Sequence, residues 1–209
     1  MQLLSDPAFR ITVRNLTKSY GDSLVLDRLS LDLESGRPCC LMAPSGAGKT
    51  TLFRILMGLE TADSGTIKGL DGLSLSAVFQ EDRLLEGYTV LQNIRLVTGR
   101  RYSADVLTGL IRQLLPEDSL KKPVSEFSGG MKRRAAILRA ILAPADAVLM
   151  DEPFTGLDPD TKRRATRMIN EYTAGKLLLF STHSKEDAAL LGAEILHLDE
   201  NGGLCSPGI

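Results

Sequence analysis

The sequence predicts an α/β fold with a helical insertion, and three observations carry that expectation. A glycine-rich stretch, Ala43 to Thr51, follows a short apolar run and opens into a helix-forming segment. Two continuous apolar runs, Ala147–Met150 and Lys176–Phe180, have the composition of buried parallel strands and are separated by a helix-forming stretch from Asp160 to Tyr172. Between the glycine-rich loop and the first of these runs, residues from about Thr89 to Ala143 read almost wholly as helix.

Taken in order, Phe9, Ile11 and Val13 alternate with polar residues, and Leu29, Leu31 and Leu33 do so again, which is the period of half-buried strands. From Cys39 the pattern becomes strand, loop and helix, the helix running to about Leu56 and ending near Gly58. A strand is expected at Ala77-Val78-Phe79. The helical segment that follows carries breaks at Pro116 and Pro123. A last apolar run, Glu194 to Leu198, meets Asn201-Gly202-Gly203, which suits a hairpin turn. No internal repeat and no low-complexity tract interrupts this order.

A chain of 209 residues with 43% hydrophobic content can bury one core and carry a small appended subdomain. With 25 basic against 26 acidic side chains its net charge is −1, so no overall field draws it to nucleic acid or to an anionic membrane surface. No nucleic-acid partner is therefore expected. Asp6 and Pro7 interrupt the N-terminus before any long apolar segment, and no run is long enough to span a bilayer, so the reading is a soluble, unexported chain. Cys39, Cys40 and Cys205 cannot form a disulfide framework and lack zinc spacing, which suits a reducing cytoplasm.

The run Ala43, Pro44, Ser45, Gly46, Ala47, Gly48, Lys49, Thr50, Thr51 has the composition of a phosphate-binding loop. Gly46 and Gly48 let backbone N–H groups approach phosphate oxygens that a Cβ would repel, and the helix N-terminus adds partial positive charge. Lys49 is placed to reach the β and γ phosphates, and the Thr50 hydroxyl to ligate Mg²⁺. The bland alternative is an ordinary glycine-rich turn. Ala43 stands where the usual pattern begins with Gly, so the start of the loop must tolerate a methyl group.

Asp151 and Glu152 follow Val148-Leu149-Met150 at the C-terminal end of a buried strand, where ligands collect in open α/β sheets. Asp151 fits a Mg²⁺ partner and Glu152 a general base acting on water; alone, the pair would be a solvated strand end. Ser128-Gly129-Gly130 opens another helix-forming segment, with Ile137, Leu138 and Ile141 on its apolar face, and reads equally as a second anion site or a helix cap.

Together with the phosphate loop and the Asp-Glu pair, Phe127-Ser128-Gly129-Gly130-Met131 resembles the signature of ATP-binding cassette (ABC) ATPases, and the resemblance covers nearly the whole chain. It implies an α/β fold with a P-loop RecA-like core, an N-terminal antiparallel β subdomain and an inserted α-helical subdomain. Residues 1–80 and 144–209 would form the core with the β subdomain, and 81–143 the helical subdomain. Further positions match in order: Tyr20 as the aromatic that stacks on adenine, Gln80 as the glutamine that contacts Mg²⁺ and the attacking water, Asp158 as the D-loop aspartate that communicates across a dimer, and His183 as the switch histidine at the γ-phosphate. Asp158 is also a natural cap for a helix beginning at Pro159. The departures are Ala43 for Gly, Phe127 for Leu and Met131 for Gln.

The resemblance implies ATP and Mg²⁺ as ligand and cofactor and a head-to-tail, ATP-dependent homodimer in which Ser128, Gly129, Gly130 and Met131 complete the partner's pocket. It further implies a separate transmembrane permease subunit and a cytoplasmic location at the inner face of the membrane. Residues 78–90 resemble the corresponding loop of nitrate, sulfonate and taurine importers, which would add a solute-binding protein indirectly. An exporter ATPase shares every motor residue and is the alternative; a soluble non-transport ATPase of the class fits less well. Leu84 and Leu85, just after Gln80, read equally as an exposed apolar pair on which the membrane subunit docks and as part of the subdomain core.

Overall fold

In the computed structural model, which describes residues 8–200 and 202–204, the alternating N-terminal segments form long strands β1 (Arg10–Tyr20) and β2 (Ser23–Glu34). They pair antiparallel, and β4 (Ser64–Lys68) adds to the far side of β1, giving a three-stranded sheet of order β2-β1-β4. The sequence offered no sign of β4 because its residues are almost all exposed and polar. Its seating depends instead on Gly65, where a Cβ would meet the Asn15 carbonyl at 2.5 Å.

The apolar runs form a five-stranded parallel sheet of order β5-β6-β7-β3-β8: β3 (Cys39–Met42), β5 (Leu75–Val78), β6 (Ala147–Met150), β7 (Leu177–Ser181) and β8 (Glu194–His197). All residues of β3, β6 and β7 are buried, as expected for a sheet covered on both faces. Three expected strands differ from their predicted limits: β5 begins two residues early, at Leu75, and ends one early, β7 is shifted by one residue, and β8 stops one short, at His197. β5 stops at Val78, whose carbonyl accepts the Asp151 N–H at 2.8 Å, and the chain then leaves the sheet. β7 begins at Leu177, because the Lys176 N–H closes a turn on the Thr173 carbonyl, and extends through Ser181.

Helix α1 (Lys49–Leu56) follows β3 directly. The segment expected to be nearly all helix is three helices, α2 (Val90–Thr98), α3 (Ala104–Arg112) and α4 (Gly129–Leu142), with a short loop between α2 and α3 and two short 3₁₀ turns between α3 and α4. Gly99 at φ 55 ends α2, and Pro116 and Pro123 each precede a 3₁₀ turn. Thr89 opens α2 with a reciprocal capping box to Gln92. Helices α5 (Pro159–Tyr172) and α6 (Lys185–Leu190) complete the order; α6, six residues long, is too short to show a helical period in the sequence.

The core divides into two clusters. One joins the β1–β2 sheet to α1 and one face of the parallel sheet through residues such as Leu26, Leu41, Leu52 and Leu179; the other joins α2–α6 to the opposite face through Ile94, Ile111, Ile137, Met150 and Phe180. The structure divides the pair: Leu84 packs against this second cluster, as the core alternative has it, and Leu85 is 45% exposed. Cys39 and Cys40 are buried free thiols, and desolvation pushes both up to about 12. Cys205, Asp6, Pro7 and Asn201 lie outside the described residues; Gly202 and Gly203 close a turn on Asp199. Among the described residues no helix is long and apolar enough to cross a membrane.

Candidate functional site

The loop between β3 and α1 is shaped by two left-handed glycines, Gly46 at φ 85 and Gly48 at φ 78. Gly48 is doubly required: a Cβ there would meet the Val25 carbonyl and Leu26 Cδ2 at 2.6 Å. It is also the N-cap of α1, and no side chain caps the helix, so the first-turn N–H groups are directed at whatever anion fills the loop. Ala43 is not in the left-handed region and packs, half-buried, against the core, so its methyl is accommodated. The Lys49 ammonium donates to the carbonyls of Ala43 at 2.9 Å and Pro44 at 3.1 Å. An ammonium has three donors, so one remains for a phosphate oxygen.

The ends of β3, β6 and β7 bring the other candidates together. A cleft of about 260 Å³ is lined by Ser45, Gly46, Gly48, Lys49, Thr50, Thr51, Gln80, Asp151, Glu152 and His183, with Val25 of β2. Thr50 Oγ1 donates to Asp151 Oδ2 at 2.6 Å, and Ser181 Oγ donates to Asp151 Oδ1 at 2.6 Å. Ser181 Oγ also accepts the Glu152 N–H at 2.9 Å. Glu152 itself sits at φ 50, an uncommon conformation for a residue with a Cβ. Its Oε1 lies 3.2 Å from His183 Nε2 but outside hydrogen-bond geometry, leaving a buried acceptor with no donor among the described residues. Burial raises the Glu152 carboxyl above the usual range, partly offset by His183 and Lys49.

Such a carboxylate, held in a cleft with an unused lone pair, can accept a proton from water. The Thr50 hydroxyl and Asp151 carboxylate, already in contact, suit a hard cation; among the described residues no three His, Cys, Asp or Glu side chains form a metal cage, so phosphate oxygens and water would have to complete the shell.

The remaining candidates lie outside this cleft. Ser128 caps α4, its Oγ accepting the Met131 N–H at 3.3 Å, while Ser128 and Gly129 are exposed and Gly130 lies close to the Gly156 carbonyl. Asp158 caps α5 by accepting the Thr161 N–H at 2.9 Å, and its bonds to Thr161 lower its pKa. Tyr20 ends β1, 47% exposed, with its hydroxyl bonded to Glu60 and the Lys18 ammonium 5.4 Å from the ring centroid. Sequence reasoning missed Ser181 and Asp187. Buried Asp187 accepts from Lys162 at 2.7 Å and from Thr182 at 3.0 Å, tying α5 to the residue before His183. The hydroxyl pair Ser181-Thr182 ahead of His183 was the available signal.

Ser181→Ala would strip Asp151 Oδ1 and the Glu152 N–H of their shared partner. The expected cost is about 1–3 kcal/mol for unpaired buried groups, and a melting temperature lower by about 2–4 °C per kcal/mol. A thermal melt unchanged from wild type would show that this hydroxyl is not what fixes the two carboxylates.

These features coincide with what comparison finds. The chain belongs to the ABC transporter family, whose sequence model matches residues 26–155, and it is an ATPase of that class. It is 36% identical over 212 residues to a Nod factor export ATP-binding protein I of Burkholderia lata, covering 93% of this chain and 69% of the relative. A protein of the same name from Rhizobium meliloti is 35% identical over 202 residues, covering 88% and 60%. The chain thus spans about two thirds of such relatives. Among solved structures, a dimeric ABC transporter cassette superimposes with a TM-score of 0.82 at 24% identity over 94% of this chain and 97% of that one. A bacterial Atm1-family ABC exporter with ATP bound gives 0.83 at 23% over 96% and 39%. At these identities the two structures speak for the P-loop fold alone.

Proposed function

We propose that this chain is the ATP-hydrolysing subunit that powers a membrane transporter. The observation that carries the proposal is the cleft in which Lys49, Gln80, the Thr50–Asp151 pair, Glu152 and His183 converge. Backbone N–H groups of residues 46–51 and the Lys49 ammonium bind the β and γ phosphates, and Tyr20 stacks on the base. Thr50, Asp151 and Gln80 would hold Mg²⁺, which would supply charge neutralisation at the phosphates. Glu152 takes a proton from the attacking water, and His183, beside it, contacts the γ-phosphate. Ser128, Gly129, Gly130 and Met131 serve a second copy of the chain, with Asp158 between the two, and the partition into residues 1–80 with 144–209 and 81–143 follows from that reading.

The direction of transport is export. Residues 78–90 resemble importer loops, but the relatives named for export match over 88–93% of the chain rather than over that one loop, and they weigh more. A permease would dock on an adjoining cleft of about 410 Å³, which shares Thr50, Gln80 and Asp151 with the first and is lined further out by Phe53, Arg54, Met57, Phe79, Glu81 and Arg83, with exposed Leu85 in the segment that follows. That docking places the chain at the cytoplasmic face of the membrane.

Hydrolysis is tested by phosphate release from ATP with and without excess chelator. Release that stops on chelation and returns with added Mg²⁺ is expected. Release indifferent to Mg²⁺ would overturn the metal assignment, and none at all with Mg²⁺ the ATPase.

A further inference from the structure

The segment that carries Gln80 is held from the helix that begins at the signature. Arg133 is buried on α4, and its Nη1 and Nη2 donate to the carbonyls of Phe79 at 2.6 Å and Gln80 at 2.7 Å. Further along the same helix Arg139 donates to the carbonyls of Arg83 at 2.8 Å and Asp82 at 3.2 Å. Carbonyls 79, 80, 82 and 83 are therefore all bound to one helix. The segment is also folded on itself: Arg83 adopts φ 45 and sets its guanidinium 3.9 Å from the Phe79 ring centroid. Asp82 Oδ1, 3.3 Å from Arg133 Nη1, supplies the counter-charge that a buried guanidinium requires.

A guanidinium is planar, permanently charged and able to hold two acceptors at fixed spacing, which a lysine cannot do. Two successive carbonyls on one fork fix the peptide that follows Gln80 and the one that precedes it. They thereby fix the direction in which the Gln80 side chain leaves the backbone to line the cleft. Its anchor is on α4, whose first turn is Gly129-Gly130.

We propose that Arg133 is a positioning residue for Gln80: its guanidinium fork holds the two peptides that flank Gln80 and so aims the Gln80 side chain at the cleft. The proposal rests on the role given to Gln80 above. It is tested by a double-mutant cycle in the full chain, with steady-state ATP hydrolysis as the readout for Gln80→Ala, Arg133→Gln and the pair. A misplaced Gln80 should lower kcat roughly 10- to 100-fold, so Arg133→Gln is expected to approach the loss of Gln80→Ala with little change in KM for ATP. The double variant should be no slower than Gln80→Ala, and Arg133→Lys should recover part of the rate.

Losses that multiply in the double variant, or Arg133→Gln at the wild-type rate, would overturn the proposal. Should Arg133→Gln melt at a much lower temperature, Arg133→Lys takes its place in the cycle with a smaller loss of kcat expected, and the criterion is then that its loss does not multiply with that of Gln80→Ala. Wild-type kcat in Gln80→Ala would instead remove the role of Gln80, and this proposal with it. Lys49 and Glu152 would be untouched by that result, which keeps the two failures distinct.

Discussion

Glu152→Gln is expected to bind ATP as wild type does and to lose turnover by about 10²–10⁴-fold in kcat, the range general-base catalysis supplies. The substitution keeps size and polarity and removes only the capacity to accept a proton. The cleft makes that capacity count, because Glu152 Oε1 is a buried acceptor without a donor and its backbone is held at φ 50 by the Ser181 hydroxyl. Burial raises the folded-state carboxyl pKa, so ionising Glu152 costs stability once the pH rises through that value. Glu152→Gln should therefore melt at the same temperature as wild type or higher at neutral pH. For the same reason the acid limb of the rate profile should lie above the ordinary carboxylate range. Lys49→Ala behaves differently: it removes an ammonium from the phosphate loop and weakens triphosphate binding itself. Equilibrium ATP binding and phosphate release, measured on the three proteins, separate these effects; wild-type turnover in Glu152→Gln would end the base assignment.

What the sequence made legible was local. The phosphate loop needs glycine where the backbone turns left-handed, so Gly46 and Gly48 announce it, and β6 and β7 announce themselves because strands buried on both faces are continuously apolar. What it hid depends on partners far along the chain. β4 is exposed and polar, and only the close approach of Gly65 to β1 explains its pairing. Ser181 bonds residues 29 and 30 positions away, and Arg133 reaches carbonyls more than 50 positions away, where any residue type could stand. Ser128 and Asp158 were ambiguous between cap and ligand contact, and both do cap their helices. A cap satisfies one N–H of the first turn and leaves the others directed outward, so the two readings do not exclude each other.

Mixing two inactive variants is expected to restore one ATP site. Lys49 lines the cleft, whereas Ser128 opens an exposed helix start outside it, as two halves of a composite pocket would if each were completed by a second chain. Lys49→Ala empties a chain's own phosphate loop, and Ser128→Arg blocks the face it offers to its partner, so a homodimer of either variant lacks any intact pocket. In the mixed pair, wild-type Lys49 of the Ser128→Arg chain faces wild-type Ser128 of the Lys49→Ala chain, and one pocket is whole. With Glu152→Gln in both chains to prevent hydrolysis, ATP should hold the mixed pair together more tightly than either homodimer, as read by size exclusion or light scattering. Ser128→Arg also removes the cap bond to the Met131 N–H, at a cost of about 0.5–2 kcal/mol, so its thermal melt must first show a folded chain. If the Glu152→Gln parent dimerises with ATP and the mixture does not, either the head-to-tail geometry is wrong or closure needs both sites filled. Two ATP per parent dimer would leave closure as the remaining question. A single ATP per dimer would reject the paired composite sites, because two chains that each offer a phosphate loop and a signature must form both pockets or neither.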